Sequence, residues 1–208
     1  MRKYIGLSNS LIALCLLALV SCESVFIPDP IDPRLPKYTE SGINTAGAFV
    51  NQEVWKSAVK YGFMTSYNKP YLTVYSNKDS LVLSFDGQIV KGDNVLADYY
   101  ISFYLKDLNI HTFSDLKTLE NKKIQLDGVK NYSAFTKRDN SSSNIICKGT
   151  AGIGQIYFRN VEVNASQNSV ILSGTFGFTI TNLNCGTTEV SYGRFDYRFG
   201  KDSNLWIE

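Results

Sequence analysis

The chain has 208 residues, with 21 basic and 19 acidic side chains, a formal charge of +2, one histidine and four cysteines. So even a balance lacks the basic footprint of a nucleic-acid binder, and no block of like charge marks an electrostatic membrane patch. Thirteen tyrosines and twelve phenylalanines against two methionines suit a protein made of strands.

The first element is a leader. Arg2 and Lys3 precede an apolar run from Leu11 to Val20, and small Ser21 stands before Cys22. A charged start, an apolar stretch and a small residue at its end make residues 1–21 a secretory signal. The apolar run is about ten residues long, half of the roughly twenty that span hydrocarbon. Its ending, Leu19-Val20-Ser21-Cys22, resembles the lipobox of bacterial lipoproteins. That resemblance implies a diacylglyceryl group on the Cys22 thiol, cleavage just before it, and anchorage to the outer membrane through lipid. One acyl chain binds a membrane marginally, whereas two or more hold it stably. Cleavage would remove Arg2 and Lys3 and leave 19 basic residues against 19 acidic ones. Surface export of Bacteroidota-type lipoproteins is associated with several acidic residues after the cysteine. Here Glu23 is followed by Ser24, Val25, Phe26 and Ile27, so the periplasmic and surface faces both stay open.

Next comes a proline-rich stretch, in which Pro28, Pro30, Pro33 and Pro36 are four of the five prolines in the chain. Each fixes its own φ and biases the preceding residue towards extended backbone, which predicts a semi-rigid spacer of about 3.1 Å per residue. The expected organisation is therefore a lipidated tether over 22–43 and a single domain over 44–208. About 165 residues can bury a good core.

Within that domain the alternation of apolar and polar residues is clearest at 170–180, where Val170, Leu172, Phe176, Phe178 and Ile180 share one parity. Residues 194–199 repeat it, with Phe195, Tyr197 and Phe199 against Arg194, Asp196 and Arg198. Both predict half-buried antiparallel strands. Shorter runs fall at 47–50, 71–76, 81–85, 99–105, 123–126, 132–137, 145–148 and 155–163, separated by turn-forming residues at 51–52, 76–80, 92–94 and 138–144. In 155–163 the apolar parity switches from Ile156 and Phe158 to Val161 and Val163, which predicts a bulge near Arg159-Asn160. One short helix is expected at 112–120, with Leu116 and Leu119 on one face and Ser114 as its cap. About ten strands and at most one helix give an all-β fold, an antiparallel sandwich with a barrel as the alternative.

Two segments carry a resemblance. "NTAGAFVNQEVWKS" (44–57) and "SGTFGFTITNLNCGTTEVSYGRFD" (173–196) resemble the opening hairpin and closing strand pair of small uncharacterised Bacteroidota lipoprotein domains. Gln52 stands where those domains have glycine in the first turn. The resemblance implies an all-β lipoprotein domain and supplies no activity.

Signals for catalysis are weak. His111 is the only histidine, and no G-x-S-x-G motif accompanies it. No His/Cys set has zinc spacing, and "FDGQIVKGDN" (85–94) with Asp86 and Asp93 lacks the alternating ligands of a calcium loop. "GTAGIG" (149–154) lacks the Lys-Ser/Thr and the helix of a phosphate loop and reads as a connection between strands. No metal and no cofactor are expected. Aromatic residues offer a route to binding: Trp55, Tyr100 and Tyr104 head a pool that includes Trp206, Tyr61, Tyr67, Tyr71, Tyr75 and Tyr99. Such rings could stack on sugars or simply fill and flank the sheet. Asp79-Ser80-Leu81 resembles an O-glycosylation acceptor pattern of Bacteroidota exported proteins, with Ser80 the acceptor. Cys15 leaves with the leader and Cys22 takes lipid, so Cys147 and Cys185 are left for a disulfide between strand ends.

The sequence thus leads to a non-enzymatic, membrane-anchored envelope protein with a binding or structural β-domain. The alternatives are a glycan-capturing surface lipoprotein and a two-carboxylate glycoside hydrolase. Partners in these readings are the membrane, through lipid, and a glycan or another envelope protein.

Overall fold

The structure, a computed structural model, describes residues 32–208 apart from 58–69, 92–93, 140–141, 150–151, 183–185 and 202–203, and only the backbone at 90–91, 94–97, 138–139 and 142–148. Twelve strands are described: β1 (Thr45–Val50), β2 (Glu53–Lys56), β3 (Tyr71–Tyr75), β4 (Ser80–Lys91), β5 (Asn94–Lys106), β6 (Lys122–Leu126), β7 (Tyr132–Asp139), β8 (Ser142–Gly149), β9 (Gly152–Asn164), β10 (Ser169–Asn182), β11 (Gly186–Gly200) and β12 (Leu205–Ile207). They form one sheet in the order β6-β9-β10-β11-β1-β2-β4-β5-β7-β8, with β3 on β4 and β12 on β3.

The fold is all-β, as expected, but two details differ. The β12–β3 pair is parallel, so the sheet is mixed rather than purely antiparallel. The two faces of the core also belong to one curled sheet, a half-barrel, rather than to two separate sheets of a sandwich. Curling follows from strand length: strands of 12 to 15 residues such as β4, β10 and β11 accumulate right-handed twist until opposite wings face each other. The wings meet through aromatic rings. Phe85 of β4 and Phe103 of β5 lie 6.1 Å and 5.2 Å from Phe176 of β10, and Phe103 is 5.7 Å from Phe178. All of these side chains are buried in a single cluster with Phe158, Phe195 and Phe199. Gly87 belongs to the same arrangement, because a Cβ there would stand 2.4 Å from the indole of Trp55.

The expected bulge is present. The β9–β10 register shifts between Ser173 and Gly174, which face Asn160 and Phe158 and leave Arg159 as the extra residue. The expected helix is a 3-10 helix, Phe113–Leu119, with Leu116 and Leu119 buried. Its cap is Thr112 rather than Ser114. The Asp115 carboxylate accepts hydrogen bonds from the backbone N–H groups of His111 (3.0 Å) and Thr112 (2.7 Å), which together hold its pKa below the ordinary value.

The largest correction concerns the tether. Residues 32–43 were expected to belong to a spacer, but they form a strap across the outer side of β1, β11, β10 and β9. Leu35 is buried against Phe49 and Val54 in a small apolar cluster of its own. Arg34 lies 4.9 Å over the Phe49 ring and pairs with Asp32 at 2.7 Å. Pro36 packs so closely on Gly47 that a Cβ there would meet the proline ring at 2.3 Å. Further along, Glu40 pairs with Arg159 of β9 at 3.2 Å. Residues 32–43 therefore pack as part of the described domain.

Candidate binding face

Two parts of the outer sheet surface carry concentrated chemistry, and they are built in opposite ways. The first lies under the strap. Asp196 projects from β11 on the side away from the aromatic core and is 1% exposed. Its carboxylate accepts hydrogen bonds from the Thr39 hydroxyl (2.5 Å), from the backbone N–H groups of Ser41 (3.1 Å), Gly42 (2.8 Å) and Ile43 (3.3 Å), and from the Ser173 hydroxyl (2.6 Å). Gly42 has φ +70°, a conformation open to glycine that helps successive N–H groups converge on one anion. Burial alone would push the Asp196 pKa up. The hydroxyls of Ser173 and Thr39 and the amides of Gly42 and Ile43 overcome it, and the net direction is down. A carboxylate surrounded by donors of its own chain is a structural knot, with no lone pair turned to a substrate.

The second part is the outer face of β12, β3, β4, β5 and β7. Inward residues here are Leu72, Val74, Leu81, Leu83, Phe103 and Leu105, all buried. The opposite parity faces outward, and its registers align into one cross-strand row. Trp206 pairs with Thr73, Thr73 with Val82, Val82 with Tyr104, and Tyr104 with Tyr132. Tyr104 and Tyr132 stack with centroids 4.6 Å apart and planes 13° from parallel. At the other end Tyr71 meets Trp206 edge-on at 6.4 Å, and these rings are 39% and 45% exposed. Tyr75 flanks the row, with the Lys78 ammonium 5.6 Å from its ring centroid. Burial raises the pKa of the Tyr104 hydroxyl, and nearby Tyr71, Tyr132 and Tyr75 add to the effect. By parity and register Tyr71 and Tyr75 of β3 share this face with Tyr104 of β5 and Tyr132 of β7. Below them Thr73 is almost covered.

The residues expected to form a platform divide unevenly. Trp55 does not belong to one: it is fully buried, and its indole N–H donates to the Tyr99 carbonyl at 3.1 Å. Its alternation points it into the core above Gly87, so it fills space. Tyr99 likewise turns inward, 4.8 Å from Phe135. Tyr104 is in the row, and half-buried Tyr100 lies four residues along the same face, beyond Ser102. Tyr61 and Tyr67 lie outside the described residues. Tyr132 had not been singled out, although its strand, with Phe135 inward, places it outward. Ser80 opens β4, half-buried and paired with Lys106.

His111 is exposed, with Nδ1 3.3 Å from the Ser76 carbonyl, so it braces a loop. Among the described residues no cluster of three or more His, Cys, Asp or Glu could hold a metal ion. Asp86 sits within β4, and the "GTAGIG" glycines are largely strand rather than connection. Gly149 closes β8 and Gly152 opens β9, and a Cβ at Gly149 would meet Ile180 at 2.1 Å. Cys22, Asp93, Cys185 and the side chain of Cys147 lie outside the described residues. Among the described residues no helix is long and apolar enough to cross a membrane.

Comparison with protein-family models, with curated proteins and with solved structures finds no match to this chain.

Proposed function

We propose that the chain is an exported envelope lipoprotein, anchored in the outer membrane through Cys22, whose β-domain is a non-catalytic binding module. The apolar run 11–20 ended by Ser21-Cys22 supports the anchor, and the resemblance to small Bacteroidota lipoprotein domains agrees with it. The observation that carries the binding reading is the outward aromatic row of Trp206, Tyr104 and Tyr132, held on paired strands rather than on loops. Rigid aromatic surface costs little entropy to present and suits recognition more than chemistry. The strap bears on geometry as well. With residues 32–43 packed on the sheet, less of the proline-rich stretch is left as spacer than the sequence alone predicts. The reading keeps the Cys147–Cys185 disulfide, because they are the two cysteines left to an exported domain.

Metabolic labelling with a clickable fatty acid tests the anchor. The wild type should take label and sediment with membranes. Cys22→Ala should do neither, and equal labelling of both would refute the anchor.

A further inference from the structure

We infer that the outer face of β12-β3-β4-β5-β7 is a binding site for a neutral polysaccharide chain lying across the strands. This rests on the binding-module reading and names its ligand class. The inference comes from the juxtaposition of four aromatic rings, three of which carry phenol hydroxyls, on one sheet face. Sugar rings have an apolar face of C–H groups and an edge of hydroxyls, and they need both kinds of partner at once. Trp206, Tyr71, Tyr104 and Tyr132 supply ring surface, while the phenol hydroxyls supply donors and acceptors along the same row.

Spacing favours a chain over a single sugar. The Tyr71/Trp206 pair belongs to β3 and β12 and the Tyr104/Tyr132 pair to β5 and β7. Adjacent strands lie about 4.8 Å apart, so β3 and β5 stand roughly 10 Å apart. Separate sugar units of one extended glycan can then meet separate aromatic pairs. A sheet face is also shallow, which suits the flat side of a chain better than a buried chain end.

Charge argues against one other ligand of aromatic surfaces. Nucleic acid stacks on aromatics only where cations track its backbone, and among the described residues Lys106 stands at the end of β5 while the others nearby are engaged. Lys78 lies at the Tyr75 ring, and Lys130 pairs with Asp107 at 2.5 Å. Trp and Tyr also suit the headgroup level of a bilayer, so phosphatidylcholine vesicles are the competing ligand in the test.

The two tryptophans make the test direct, because Trp55 is fully buried and Trp206 is 45% exposed. The full chain, in a detergent without a sugar headgroup, is titrated with soluble β-glucan, xylan and galactomannan while tryptophan emission is followed. At least one polysaccharide should shift emission to the blue and protect against acrylamide quenching. Trp206→Phe should abolish the shift. Tyr104→Ala combined with Tyr132→Ala should weaken binding at least tenfold with an unchanged melting temperature. No response to any of the three polysaccharides would overturn the inference, as would a response surviving both variants, or a response only to phosphatidylcholine vesicles. Fatty-acid labelling at Cys22 is scored separately, so losing the glycan would leave the anchor standing.

Discussion

The outer surface of one sheet is used in two ways. Over β1, β11 and β10 it is closed by the chain's own residues 32–43. Over β12, β3, β4, β5 and β7 it presents rings to solvent. The closed region has outward residues of mixed size that the strap covers: Gly47 beneath Pro36, Phe49 and Val54 beneath Leu35, and Ser173 and Asp196 beneath Thr39–Ile43. The open region has bulky amphipathic ones, Tyr71, Tyr104, Tyr132 and Trp206. A buried hydrogen-bonding hub at Asp196 and an apolar seat for Leu35 therefore mark the face covered by the chain, and half-exposed rings mark the face open to solvent. A strap needs room and a hydrogen-bonding hub, whereas a platform needs protruding rings.

The core is common to both regions, so its loss sets the upper bound. Phe85→Ala removes a ring lying 5.4 Å from Phe195 and 5.5 Å from Tyr197 as well as its contact with Phe176. Urea unfolding should show a loss of about 3–5 kcal/mol, and both regions should fail together. A loss confined to one region would break the idea of a shared core.

Asp196→Ala should affect the closed region alone. It strands buried amides and hydroxyls that the carboxylate now satisfies, which costs about 3 kcal/mol. Hydrogen exchange should accelerate at Ser41, Gly42 and Ile43 while β5 and β7 stay protected. Acidity should imitate it. The Asp196 pKa is depressed in the fold, so its contribution is whole above the unfolded carboxyl value of about 3.9 and is lost as pH falls through the lower folded value. Strap protection in the wild type should vanish across that interval. In Asp196→Asn the same acid step should be missing.

Gln52→Gly sharpens the comparison at smaller scale. Asn51 and Gln52 turn the β1–β2 hairpin beside the strap with φ +47° and +71°, values that an L-residue holds at a cost of roughly 1 kcal/mol. Glycine should raise stability by about that amount in thermal unfolding. Tyr104→Ala with Trp206→Ala should change stability least, within about 0.5 kcal/mol per site, because these rings serve the surface. A large destabilisation there would make them structural.

How far the sequence disclosed this follows the same division. Where one face is buried and the other half-open, alternation is visible, as in Phe195, Tyr197 and Phe199. The Arg159 bulge announced itself because its parity switched. Where both faces are covered, the period disappears: β1 is buried from Ala46 to Val50, and Ala48 serves the core while Phe49 serves the strap. Trp55 stays open between platform and filler in the sequence for the same reason, since a short doubly covered strand does not declare which side is inside. Asp196 looked like a solvent residue because alternation reports parity and not what lies over it. A cue was present in Ser41-Gly42-Ile43-Asn44, where the residues at 42 and 44 take positive φ and the backbone turns its amides towards one anion. Tyr132 was legible in parity. Only the register of β5 with β7 joins it to Tyr104.

Hydroxyl-radical footprinting of the full chain, read by mass spectrometry, tests the central contrast most directly. Trp206 and Tyr71, at 45% and 39% exposed, should oxidise early, with Leu35 at 5% and Trp55 at 0% lagging far behind. Leu35 reacting at its intrinsic rate for an open chain would show a loose tether in place of the strap. Protection of Trp206 and Tyr71 equal to that of Trp55 would show that the second face is closed too, and the contrast between the two regions would be wrong.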